Sequence, residues 1–265
     1  MRDWKAEAGV FLAVAFVAAG VLGAVQPATG IPAEVVQLTQ FGPALGVLAA
    51  ALLWPSRIRG RLAGALPGRR AHEAEGAGEE RAGRGLLLLL TAPLITVLSV
   101  AAYTAVEGTP RATGPWSLGH PFALVVVAQF VGACGEEIGW RCLLQPLVRT
   151  RFGPLSASAL VGVVWGVWHV QVFTQAPAYA AGFLLATVAM SVVLGLGLER
   201  VRAGRLLLAG GFHTLVNLGM LLFMDEESGA VLPMVLFGGA CLLTAVLWVV
   251  RAPAVRDVTP VYGAR

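Results

Sequence analysis

Charge is scarce in this chain. Asp, Glu, Lys and Arg make up 13% of its 265 residues, where a soluble domain of this size carries roughly 25%. Lys5 is the single lysine against eighteen arginines, a bias that points to a GC-rich genome rather than to a mechanism. Cysteine is equally sparse. Cys134, Cys142 and Cys241 are odd in number and lie in apolar stretches, which excludes a disulfide framework and fits small buried hydrophobes. The chain lacks the length for a separate soluble domain, the His-Glu-x-x-His zinc signature and any internal repeat. Gly195-Leu196-Gly197 is a lone Gly-x-Gly inside an apolar run, a mark of close helix packing rather than of a phosphate loop.

What the chain has instead is apolar sequence: 57% of residues, with a mean hydropathy of +0.76. Eight apolar runs stand out, at 9–26, 35–54, 85–106, 119–148, 154–173, 177–198, 205–224 and 230–250. Each is near or above the ~20 residues that cross ~30 Å of hydrocarbon. Only helices and closed barrels satisfy the backbone in lipid. The fold class expected is all-α, a polytopic membrane helix bundle of about eight transmembrane helices. Residues 1–66 form a two-span N-terminal unit, 67–84 a flexible cytoplasmic loop rich in Gly, Ala, Arg and Glu that includes an exposed His72, 85–252 a six-span core, and 253–265 a cytoplasmic tail. The first run follows a leader containing Asp3 and Glu7 and is longer than a signal-peptide core, so it reads as a retained anchor.

The net charge of +4 is no sign of nucleic acid, because the basic residues sit at span ends. With both termini and the 55–84 loop inside, seventeen of the nineteen basic residues are cytoplasmic. The opposite side then holds only Arg111, beside Glu34, Glu107, Asp225, Glu226 and Glu227. The positive-inside rule selects that orientation.

Three runs carry polar groups that a lipid-facing helix excludes. They read Gly135-Glu136-Glu137-Ile138-Gly139-Trp140-Arg141, Trp165-Gly166-Val167-Trp168-His169 and Gly211-Phe212-His213-Thr214-Leu215-Val216-Asn217. A charge at mid-membrane costs roughly 2.5–3.5 kcal/mol on insertion scales, and such residues face cavities where they do work. All three motifs are expected to be helical. Residues four apart share a helix face, so Glu137 pairs with Arg141, His213 lies beside Asn217, and Trp165 forms an apolar wall next to His169. Glu136 points about 100° away from Glu137 and takes a different role. A partly desolvated Glu136 can take a proton from water. His169 can orient that water or share its proton, and His213 and Asn217 can donate to an oxyanion. This chemistry suits amide hydrolysis in a chamber within the membrane.

The ordered set Glu-Glu-x-x-x-Arg, aromatic-x-x-x-His, His-x-x-x-Asn resembles the CPBP intramembrane endopeptidases, also called the type II CAAX prenyl endopeptidase or Abi family. The resemblance covers about residues 119–224, with Trp165 where the family usually has Phe. It implies a protease of the bacterial cytoplasmic membrane acting on a membrane-anchored peptide or protein, prenylated and CAAX-like in the eukaryotic relatives and of other kinds in many bacterial ones. Glu136 would be the base, His169 a second catalytic group, and His213 with Asn217 the oxyanion hole. Bacterial relatives also take other roles, near bacteriocin immunity. A metal-free glutamate mechanism competes with a zinc mechanism, for which the ligands would be Glu136, His169 and His213. Two other classes stay open: a proton or metal-ion transporter, disfavoured by the missing repeat, and a catalytically silent binding or immunity protein on the same scaffold.

Overall fold

A computed structural model describes residues 3–67, 78–110, 112–224 and 229–252. The described residues fold as helices: α1 (Asp3–Thr29), α2 (Gly42–Leu53), α3 (Pro55–Arg61), α4 (Gly78–Glu107), α5 (Phe122–Gly139), α6 (Gln145–Arg149), α7 (Pro154–Trp168), α8 (Pro177–Leu198), α9 (Arg205–Gly219) and α10 (Val231–Arg251). Among the described residues six segments are long and apolar enough to cross a membrane: Trp4–Thr29, Gly83–Glu107, Phe122–Arg149, Pro177–Leu198, Arg205–Phe223 and Val231–Arg251. Leu38–Leu53 and Pro154–Trp168 are shorter apolar helices. Together they fall on the eight runs of the sequence.

The distribution of side chains is inverted relative to a soluble protein. Leu52 and Val250 are each 76% exposed, while Glu136, Glu137 and Arg141 are at most 2% exposed. With lipid as solvent the outer face is apolar, and helix contacts rest on close packing rather than on hydrophobic expulsion. Helix α8 packs between α7 and α10, α9 lies against α4 and α5, and α2 joins α1 to α5. Small residues set these approaches. A Cβ on Gly139 would meet Pro43 at 2.6 Å and Phe11 at 2.8 Å, and one on Gly238 would meet the Gly182 carbonyl at 2.6 Å. Gly195 lies against the Ser158 hydroxyl and Gly197 against Leu88, in keeping with the packing role expected for that pair.

An aromatic column runs inward from α1. Phe11 meets Trp140 edge-on at 5.4 Å, and Trp140 meets Trp168 at 5.7 Å. The Trp168 indole donates to the carbonyl of Ala15. Basic residues gather at one end of the bundle: Arg61 and Arg57 pair with the buried Glu7, Arg149 pairs with Glu199, and Arg205 donates to the carbonyls of Arg61 and Ala63. At the other end His120 faces Glu34 at 3.7 Å, and Gln26 ties Val36 and Leu38 back to α1.

Three local expectations need correction. Helix α4 begins at Gly78, so residues 78–84 extend a span instead of joining the loop. The side chain of Arg84 there donates to the carbonyls of Leu196 and Gly197. The remainder of that stretch, 68–77 with His72, lies outside the described residues, as do Arg111, residues 225–228 and the 253–265 tail. Second, Arg141 is not in a regular α-helix but in a π-helical turn, Trp140–Leu144. Pro146 follows two residues after it. It lacks an N–H and crowds the carbonyl of Cys142, and a widened turn relieves both problems. Third, His169 is not helical. Helix α7 ends at Trp168, His169 has φ −77° and ψ 63°, and a 3₁₀ turn, Val170–Thr174, takes over.

Candidate active site

Trp165 organises the site. Its indole Nε1 donates to Glu136 Oε2 at 2.8 Å. The His213 ring stands edge-on to its ring at 5.3 Å, and the His169 ring at 6.0 Å. The Arg141 guanidinium lies over its face at 4.9 Å, a cation–π contact strengthened by desolvation. The residue expected to be an apolar wall is also a hydrogen-bond donor to a buried carboxylate.

The two adjacent glutamates occupy different surroundings, as their helical spacing requires. Glu136 Oε2 is held by the indole. Glu137 is fully buried, with Oε2 3.0 Å from Arg141 Nε and Oε1 2.9 Å from His213 Nδ1. The i,i+4 ion pair survives inside the widened turn. Arg141 NH1 donates to Ser191 Oγ at 2.9 Å, and Ser191 in turn donates to the Ser158 carbonyl at 2.6 Å. The pair is thereby tied to both α8 and α7. Removing one partner of a buried ion pair costs about 3–5 kcal/mol, because the other is left uncompensated.

The histidines are fixed through their Nδ1 atoms. His213 Nδ1 faces a carboxylate and His169 Nδ1 faces the Trp165 carbonyl at 2.9 Å. Both partners can only accept, so each Nδ1 carries hydrogen. In a neutral ring each Nε2 is then an acceptor, and it becomes a donor only when the ring is doubly protonated. The break at the end of α7 lets His169 turn back onto its own last helical turn. Its ring is closed in by Trp168 at 4.8 Å and Phe183 at 4.9 Å.

Glu136, Arg141, His169 and His213 are thus brought together around the Trp165 indole, with Glu137 joined to them through Arg141 and His213. Asn217 lies one turn beyond His213 on α9 and donates through Nδ2 to Gln129 Oε1 at 3.1 Å. Sequence reasoning passed over Gln129 and Ser191. Gln129 had a readable signal, being a polar residue two turns before Glu136 in an otherwise apolar run. Ser191 had none, since a lone serine in an apolar helix commonly bonds its own backbone.

Among the described residues no three His, Cys, Asp or Glu side chains cluster as a metal-ligand set. Glu136, His169 and His213 in this arrangement do not fit the zinc alternative.

Residues 118–219 match the family model "Type II CAAX prenyl endopeptidase Rce1-like". CAAX prenyl protease 2 of Methanococcus maripaludis is 25% identical over 166 residues, covering 57% of this chain and 61% of that protein. Lysostaphin resistance protein A of Staphylococcus haemolyticus is 20% identical over 255 residues, covering 96% and 67%. Its namesake in Staphylococcus aureus is 26% identical over 145 residues, covering 54% and 34%. The chain therefore spans under two thirds of the Methanococcus protein and about a third of the Staphylococcus aureus one. The matched segment holds all three polar motifs and every side chain gathered around Trp165, and over that segment this integral membrane protein is similar to the type II CAAX prenyl endopeptidases.

Proposed function

We propose that this protein is an intramembrane endopeptidase that hydrolyses a peptide bond of a membrane-anchored substrate with a glutamate-activated water. The observation that carries this reading is a buried carboxylate, Glu136, held on one oxygen by Trp165 with two histidine rings packed against the same indole. Glu136 Oε1 is left to take a proton from water as the water oxygen attacks the carbonyl carbon. His169 Nε2 accepts the second O–H and aims the water. Electrons of the C=O bond move to its oxygen, where His213 and Asn217 donate.

His213 can donate from Nε2 only with both nitrogens protonated, because Nδ1 already serves Glu137. Charge balance supports that state: two buried carboxylates then face two cations, Arg141 and His213. Collapse of the intermediate breaks the C–N bond, and Glu136 returns its proton to the leaving nitrogen. The name of the Methanococcus relative favours a prenylated CAAX-like substrate, and the basic end of the bundle favours a cytoplasmic approach.

The test is the purified protein in bilayers with membrane-anchored peptides, prenylated and not. Wild type should cleave, and Glu136→Gln, which keeps size and hydrogen bonding, should not. Equal cleavage by the two proteins would reject the glutamate base. The alignment with a lysostaphin resistance protein over 96% of the chain favours a second reading, a resistance role without turnover. Resistance that survives Glu136→Gln in cells would select it.

A further inference from the structure

We infer that Gln129 is a positioning residue that sets the orientation of the Asn217 amide, and so decides whether Asn217 offers a donor or an acceptor to the reacting carbonyl. The inference rests on the oxyanion role proposed for Asn217.

An asparagine amide can be turned either way, and only its partners fix which end is nitrogen. Here the partners form a chain that begins at a group with no ambiguity. Gln129 Nε2 donates to the backbone carbonyl of Glu34 at 3.1 Å. A carbonyl only accepts, so the Gln129 nitrogen must face it. Gln129 Oε1 is then forced toward Asn217, and Asn217 must answer with Nδ2, as it does at 3.1 Å. One N–H of Asn217 is used there and the second is left for an oxyanion. With the amide reversed, Asn217 would present a carbonyl oxygen, which repels the developing negative charge.

The reference carbonyl is itself braced. Val35 and Val36 close a turn onto the Pro32 carbonyl, and Gln26 of α1 holds the Val36 carbonyl at 2.9 Å. The following residues press on α5, where a Cβ on Gly132 would run into the Gln40 side chain and would meet Val36 at 3.1 Å. Gln129 is 8% exposed, so water offers little competition for its two bonds. It lies seven residues before Glu136 on the same face of α5, and one helix therefore carries both the base and the residue that orients the oxyanion donor.

The experiment is a double-mutant cycle with Gln129→Met and Asn217→Ala in wild-type and variant backgrounds, read as kcat and KM on a cleaved membrane-anchored peptide. Loss of one oxyanion donor costs about 10²–10³-fold in kcat. Gln129→Met should lower kcat about tenfold or more with KM little changed, and should cost nothing further once Asn217 is alanine. Gln129→Asn is the second variant if the methionine protein does not fold. It keeps an amide but is too short to span both partners, and should lose kcat in the same way.

Asn217 is the only asparagine in the chain, so ¹⁵N-asparagine labelling gives one side-chain amide signal pair. Gln129→Met should shift that pair, with or without substrate. An unmoved pair, or a kcat loss that persists undiminished in the Asn217→Ala background, would overturn the inference. A shifted pair in a protein that cleaves nothing would uphold the amide relay while the peptidase reading falls.

Discussion

The indole nitrogen of Trp165 lies 2.8 Å from Oε2 of Glu136, both groups buried. This bond joins α7 to α5 at a buried carboxylate that the indole, rather than a cation, holds directly. Hydrogen bonds to charged groups contribute about 1.5–3 kcal/mol. Trp165→Phe keeps the aromatic wall, but it frees Glu136 to rotate. The expected result is a kcat about 10–100-fold lower with KM nearly unchanged, measured beside a thermal melt that moves little. A kcat within twofold of wild type would show that the indole N–H is dispensable.

Glu137→Gln and Glu136→Gln should fail in different ways. Glu137 touches Arg141 and His213 and carries their charge. Its replacement leaves buried cations uncompensated and should cost roughly 3–5 kcal/mol of stability. Glu136→Gln should melt near wild type and be inactive. Thermal unfolding in one detergent, run beside activity, separates the two. The reverse pattern would mean that the roles of the adjacent glutamates are exchanged.

Much of this architecture is legible in the sequence. Spans can be placed because lipid demands long unbroken apolar helices, and 177–198 falls on Pro177–Leu198 without adjustment. The Glu137–Arg141 pair follows from 3.6-residue periodicity. Where periodicity breaks, the sequence misleads. The π turn at Trp140–Leu144 and the end of α7 before His169 are local departures that a helical wheel does not contain. The indole bond to Glu136 depends on how α5 and α7 cross, and Ser191 and Gln129 act only through partners on other helices. Contacts between helices leave little trace in the pattern along one helix.

Ser191 should matter for stability more than for turnover. It is fully buried, accepts from Arg141 and donates to the Ser158 carbonyl. Ser191→Ala leaves a charged donor without its acceptor, at about 1–3 kcal/mol. A lower melting temperature is expected, with kcat within a few fold of wild type in the protein that remains folded. An unchanged melt would mean that Arg141 finds another acceptor.

Orientation is testable independently of chemistry. The clustering of Arg57, Arg61, Arg149 and Arg205 at one end predicts that this end, both termini and the connection from α3 to the start of α4 are cytoplasmic. Reporter fusions after residue 66 and at the C-terminus should both report the cytoplasm. An external report from the fusion after residue 66 would invert the bundle and the side from which substrate approaches.

The most direct test of the glutamate-base mechanism is a single turnover in H₂¹⁸O, with wild-type protein in excess over a membrane-anchored peptide. If Glu136 activates water as a base, the oxygen that attacks the carbonyl comes from solvent, and the newly formed carboxylate carries one ¹⁸O in the first turnover. Glu136→Gln should form no product under the same conditions. A first-turnover product free of label, with ¹⁸O appearing instead in the Glu136 carboxylate, would mean that the glutamate attacks the substrate itself and does not act as a base.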